Sequence, residues 1–158
     1  MAFITGAEWK NDREVIRMNI FVKSFNELSL DELYDILKIR VNVFVVEQNC
    51  PYSELDDIDK NAFHVYVKDE DGIQGYLRVY KKDDVRIGRV LSLKRRQGIG
   101  TLLLKEGIKV AKEKLSAEKI VIEAQTYARE MYEKLGFYQT SEPFLEDGIE
   151  HIKMELDI

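Results

Sequence analysis

Leu93-Lys94-Arg95-Arg96-Gln97-Gly98-Ile99-Gly100-Thr101 is a basic, glycine-containing turn with a strand-like run before it and a helix-like run after it. Residues 85–93 alternate as a half-buried strand does. Beyond the turn, Leu102, Leu103, Val110, Ala111 and Leu115 recur at helical spacing across residues 99–115. The first N–H groups of such a helix lack internal partners, and its dipole adds partial positive charge there. Gly98 and Gly100 let the main chain approach an anion without Cβ interference, and Arg95 and Arg96 add full charges. The segment therefore reads either as a phosphate cradle or as a helix start whose glycines simply fit a tight turn. It is not a Walker loop, because no glycine precedes a Gly-Lys-Ser/Thr at the needed distance. It is not a Gly-x-Gly-x-x-Gly dinucleotide loop either, because Leu103 holds the third position.

Outward from this turn, the spacing predicts an α+β chain. Residues 15–23 read as a strand after an extension, residues 1–14. Ser29 and Glu32 make a capping-box pattern that opens a helix running to about Phe44, with Leu30, Leu33, Tyr34, Leu37, Val41 and Phe44 as its buried stripe. Residues 45–60 are irregular, broken by Asn49-Cys50-Pro51 and carrying Glu54, Asp56, Asp57 and Asp59. Residues 62–67, 73–80 and 85–93 form an antiparallel meander around Asp71-Gly72 and Lys82-Asp83-Asp84. A strand at 119–124, a short helix at 126–135 closed by Gly136, and a hairpin of 137–142 with 150–156 complete the order. The expectation is one domain over residues 15–158, a mostly antiparallel sheet flanked by helices.

Composition narrows the function classes. At 158 residues, with 45% hydrophobic and 34% charged residues, the chain holds enough apolar material for a core and is not disordered. A net charge of −5 argues against general nucleic-acid binding despite Lys94, Arg95 and Arg96. A single cysteine, Cys50, allows no internal disulfide, and two separated histidines make no metal site. The longest apolar run, Val43 to Val46, is far below the ~20 residues of a membrane span, and the first residues show no secretion signal, so the default compartment is the cytoplasm.

Arg95-x-x-Gly98-x-Gly100 after a strand resembles the acetyl-CoA motif of the GNAT superfamily of N-acetyltransferases. Gln125-Thr-Tyr-Ala128-Arg-Glu-Met-Tyr132-Glu-Lys-Leu-Gly136-Phe137 resembles that family's Asn-x-x-Ala-x-x-x-Tyr-x-x-x-Gly-Phe, with Gln125 where Asn is usual. Val43-Phe-Val-Val-Glu-Gln-Asn-Cys-Pro-Tyr52 and Phe144-Leu-Glu-Asp-Gly-Ile-Glu-His151 are similar to one branch, the ElaA-like acetyltransferases. The resemblance runs from about Ile20 to the end and implies the GNAT acyl-CoA N-acyltransferase fold.

It also implies roles. The amides of Arg96, Gln97, Gly98, Ile99, Gly100 and Thr101, with Arg95, would hold the pyrophosphate of acetyl-CoA. Main-chain groups near Val90 would pair with the pantetheine arm, and Gln125 would contact that arm from the other side. Tyr132 matches the family's acid for the leaving thiolate, although Ala128, Met131, Tyr132 and Leu135 also form a helical stripe that suits a core tyrosine. Glu123 is a candidate base, acting directly or through water. His151 has a side chain suited to proton transfer but equally fits a structural place on the last strand, and His64, in the run 62–67, has the same two readings. Glu47, Tyr52, Asp57 and His151 are the expected acceptor-side residues, with a solvated loop as the alternative for the first three. The implied activity is acetyl transfer from acetyl-CoA to a primary amine, on a small molecule or a peptide, in a ternary complex. The alternative is a non-catalytic module that binds or senses acyl-CoA. A homodimer is an expectation of the family alone; no nucleic acid, membrane or metal is implied.

Overall fold

Runs rich in Val, Ile and Tyr build the centre of the molecule. β3 (Phe63–Asp69), β4 (Gly72–Lys81) and β5 (Val85–Ser92) pair antiparallel as the expected meander. β3 and β4 are buried on both faces, so their alternation sorts residues between two cores. Val65, Val67, Leu77 and Val79 face one side; Tyr66 and Tyr76 face the other.

The computed structural model describes residues 2–11, 14–93 and 98–158. Within them, β2 (Glu14–Ser24) pairs with β3, and residues 2–11, expected only as part of an extension, form β1 (Ala2–Asn11) along β2. β6 (Lys119–Gln125) lies parallel to β5, and β9 (Ile149–Asp157) lies antiparallel to β6. Two short strands, β7 (Tyr138–Gln139) and β8 (Phe144–Glu146), both pair with β9. The sheet order is β1-β2-β3-β4-β5-β6-β9-β7. Among the described residues no helix is long and apolar enough to cross a membrane.

α2 (Ile99–Leu115) has the bounds its periodicity predicts and buries Ile99, Leu103, Leu104, Val110 and Ala111 on the first core. Fully burying a leucine such as Leu103 contributes about 1.5–3 kcal/mol. Its first turn reaches the sheet because Gly75 lies beneath it. A Cβ there would stand 2.7 Å from both Ile99 Cγ2 and Leu103 Cδ1. The helix ends at Ser116, whose φ of 49° turns the chain out. The segment after β6 begins with a 3₁₀ turn, Thr126–Ala128, and continues as α3 (Arg129–Glu133), on the same core as α2.

α1 (Leu30–Arg40) packs on the opposite face. Ser29 Oγ caps it by accepting from the Glu32 N–H at 3.1 Å, as the sequence predicts. Its expected stripe needs correction. Leu30 and Tyr34 are 86% and 68% exposed, and the buried positions are Ile36, Arg40 and Val43. The helix face is rotated because Arg40, polar by its letter, is neutralised inside the protein. From Val41 to Glu47 the coil widens into a π-helical segment instead of ending near Phe44. Val41, Val43, Val45 and Val46 crowd a regular helix, and such a bulge re-aims the residues that follow it.

Candidate active site

β5 and β6 pair only where Val85 and Arg86 meet Ile120 and Val121. Past that point the ladder stops, and a cavity of about 500 Å³ opens between residues 87–92 of β5 and 121–125 of β6. Parallel strands that part at their C-terminal ends leave such a crevice beside the helices that follow them. Here those helices are α2, following β5, and α3, following β6. β5 is bulged at the same place: Tyr76 faces Leu91 and Arg78 faces Gly88, so Arg89 and Val90 stand against Leu77 alone, with Arg89 at φ 53°.

On the helix side, Gly98 starts α2 at φ 69°, a left-handed conformation that suits glycine, and it lines the cavity with Gly100 and Thr101. The Tyr132 ring is buried on α3, edge-on to Phe137 at 5.7 Å, while the residue also lines the cavity. Burial, with the Tyr127 phenol nearby, pushes the Tyr132 hydroxyl well above its ordinary value, so it is protonated at neutral pH. The core-ring reading of this tyrosine describes its packing, and the residue also borders the cavity.

On the other side, cross-strand register sets one wall. Gln125 opposes His151 on β9, and Glu123 lies two residues before Gln125 on the same face. Gln125 Nε2 donates to Gln48 Oε1 at 3.2 Å, joining β6 to the end of the π-helical segment. His151 Nδ1 donates to the Ile149 carbonyl at 2.7 Å, and its Nε2 lies 3.9 Å from Glu146 Oε2. Glu123 stands 3.6 Å from Arg86 Nη1. The Cys50 thiol donates to the Asp147 carbonyl at 3.2 Å, tying the irregular loop to the β8–β9 turn.

Beneath this wall the acidic loop is consumed by arginines. Arg40 Nε and Arg89 Nε both donate to Glu54 Oε1, at 2.9 and 2.6 Å. Glu54 Oε2 lies 2.9 Å from Arg40 Nη2 but outside hydrogen-bonding geometry. Arg78 grips Asp56 with two bonds of 2.8 and 2.6 Å and reaches Asp59 at 3.0 Å, and Asp59 also takes Arg40 Nη1 at 2.7 Å. Each guanidinium also stacks on a tyrosine: Arg40 on Tyr76, Arg78 on Tyr80 and Arg89 on Tyr52. His64 is fully buried between the Asp59 carbonyl and the Tyr76 hydroxyl, a structural place away from the cavity. Burial pushes the Tyr52 hydroxyl up to about 12.

Of the expected site residues, Val90, Gly98, Gly100, Thr101, Glu123, Gln125, Tyr132, Tyr52 and His151 share this cavity. Ile99 turns its side chain into the core. Arg95, Arg96 and Gln97 lie outside the described residues. Glu47 and Asp57 stand elsewhere: Glu47 is exposed, and Asp57 is exposed with Lys60 3.3 Å away. Sequence reasoning passed over Gln48 and Glu146, each inside a stretch quoted for its resemblance but not weighed singly. Their signal was position within those stretches.

The Acetyltransferase (GNAT) domain family matches residues 32–158. A UPF0039 protein of Schizosaccharomyces pombe is 39% identical over 142 residues, 86% of this chain and 95% of that protein. Protein ElaA of Escherichia coli is 33% identical over 141 residues, 84% of this chain and 92% of ElaA. The ElaA crystal structure superposes with a TM-score of 0.84 at 30% identity, covering 89% of this chain and 99% of that one. An acyl-CoA N-acyltransferase from Pseudomonas aeruginosa superposes at 0.81 with 34% identity, covering 88% and 99%.

Proposed function

The chain belongs to the GNAT acetyltransferase family, and from that premise we propose that it transfers an acetyl group from acetyl-CoA to a primary amine, of a small molecule or a peptide, within a ternary complex. The observation that carries this reading is the cavity where β5 and β6 part, which meets Tyr132 on the helix side and Glu123 and His151 on the other. Acetyl-CoA fits the first side. Gly98 and Gly100 leave the start of α2 free of Cβ atoms on the approach of an anion, and the edge of β5 around Val90 is open to an extended arm. Gln125, steadied by Gln48, faces the same space.

The co-substrate supplies the activated acetyl thioester. The protein's own tasks are to bind it, to bring the amine to it and to move protons. An alkylammonium with a pKa of ~10.4 holds only about one free amine in a thousand at neutral pH, so the acceptor side needs a group that takes a proton. Glu123 and His151 draw the cationic amine in. Tyr132, kept protonated by burial, gives its hydroxyl proton to the leaving thiolate.

The test is release of free thiol from acetyl-CoA with a panel of polyamines, aminoglycosides, amino acids and peptides. The reading expects amine-dependent release with at least one class.

A further inference from the structure

The acetyl-transfer reading calls for a proton acceptor on the amine side, and it leaves Glu146 without a task. Glu146 ends β8 just before Asp147 and Gly148, whose φ values of 50° and 78° make a tight turn into β9. Residues directly opposite in an antiparallel pair share a face. Glu146 opposes Ile149, Phe144 opposes His151, and His151 opposes Gln125. Glu146, His151 and Glu123 therefore stand on one face of three adjacent strands, and all three line the cavity.

Their surroundings separate the two carboxylates. Glu123 has Arg86 Nη1 at 3.6 Å, a cation that competes for its charge. Glu146 has only His151 Nε2 within ion-pair reach among the described residues, at 3.9 Å, and His151 is held in place by Ile149 and by the Phe144 ring.

We propose that Glu146 takes the proton from the acceptor's ammonium, with Glu123 and His151 positioning that ammonium beside it. The N–H bond breaks, a bond to a Glu146 oxygen forms, and the nitrogen keeps the electron pair with which it attacks the acetyl carbon. As the C–S bond breaks, the thiolate takes the Tyr132 proton, and the second proton released from the nitrogen restores Tyr132. Glu146 then returns the proton to water. This rests on the acetyl-transfer reading and names the group that reading leaves open. The electrostatics agree. Partial desolvation of a side chain that is still 48% exposed, then the charges of Glu123 and Asp147, push the Glu146 carboxyl above the usual carboxylate range, against the pull of His151 and Arg89. A carboxylate raised in this way holds a proton more readily than one at its ordinary value.

The experiment compares Glu146→Gln, Glu146→Asp and Glu123→Gln in the full chain, using an amine that the wild type accepts. In the wild type, kcat/KM for the amine should rise with pH through Glu146 ionisation and then level off. Glu146→Gln should fall about 10²-fold at neutral pH and then climb about tenfold per pH unit toward pH 9, because only free amine reacts. Acetyl-CoA affinity should be unchanged, and Glu146→Asp should keep part of the rate. A second readout needs no turnover. Because the fold disfavours ionised Glu146, Glu146→Gln should melt with the wild type at pH 4 and above it at pH 8. A folded Glu146→Gln with wild-type rate and profile overturns the assignment while leaving acetyl transfer standing. So does a Glu123→Gln that takes on the free-amine profile while Glu146→Gln keeps the wild-type one. A wild type whose thiol release is no faster with any amine of the panel than without one overturns the acetyl-transfer reading and this assignment with it.

Discussion

Arg40 Nε donates to Glu54 Oε1 at 2.9 Å, a bond between a fully buried helix residue and a loop residue 14 positions later. Through it the loop carrying Tyr52 is held to α1, and through Arg78 and Arg89 to β4 and β5. Removing one member of a buried charge pair strands the other, which costs about 3–5 kcal/mol. Glu54→Ala should lose stability on that scale in urea unfolding. Arg40→Met combined with Glu54→Gln should lose less than the sum of the single variants, because the two share one interaction.

The same cluster sets the acid limb of stability. Burial alone would raise the Asp56 and Asp59 carboxyls, but Arg78, with Arg40 at Asp59, holds both below their ordinary 3.8. A depressed carboxyl gives stability that is full above the unfolded value and is lost as pH falls through the folded one. For His64, burial, with Arg40 and Arg78 adding to it, lowers the ring's value below 6.5. The neutral ring's contribution is therefore complete above 6.5 and fades as pH falls toward the lowered value. Melting followed from pH 7 downward should show an early loss from His64 and a later one from the aspartates. Asp59→Asn should cost most at pH 7, with its gap to the wild type closing only as pH falls below 3.8 and through the lowered folded value. A gap independent of pH would contradict this account.

Gly75 is the seat of the first turn of α2. In Gly75→Ala, the added Cβ meets Ile99 Cγ2 and Leu103 Cδ1 at 2.7 Å, so these side chains, or the first turn that carries them, must give way. Overpacking of this kind costs about 1–3 kcal/mol. Because Gly98 and Gly100 move with that turn, acetyl-CoA affinity by calorimetry should weaken as well. Unchanged affinity in the folded variant would separate the α2 start from the cofactor side.

Much of this architecture was legible in the chain. Apolar runs bounded by turn residues in 63–92 and the 3.6-residue spacing in 99–115 mark these elements, so the meander and α2 emerge with nearly their observed bounds. The α1 stripe did not, because Arg40 is buried by partners 14 and 19 positions away, and helical periodicity has no term for a neutralised arginine. For the same reason Glu54, Asp56 and Asp59 read only as charges on an irregular stretch when they are ligands of arginines. Glu146 joins the site only through the β8–β9–β6 register, which is information about pairing and not about residue type.

Tyr132 carries the acid role in the proposed reaction. Tyr132→Phe keeps the ring's edge contact with Phe137, so melting should change little. Turnover should fall about 10²-fold if the hydroxyl donates only as charge develops on sulfur, with acetyl-CoA affinity kept. Wild-type turnover under conditions where chemistry limits the rate would return the residue to core packing alone.

The most direct test of the central claim is thiol release from acetyl-CoA, followed with and without the amine panel, in the wild type and in Tyr132→Phe side by side. The account predicts release that depends on the amine and drops about 10²-fold in the variant while acetyl-CoA binding by calorimetry stays the same. Tight acetyl-CoA binding with no amine-dependent release in either protein would contradict it and make the chain an acyl-CoA-binding module with an acetyltransferase fold.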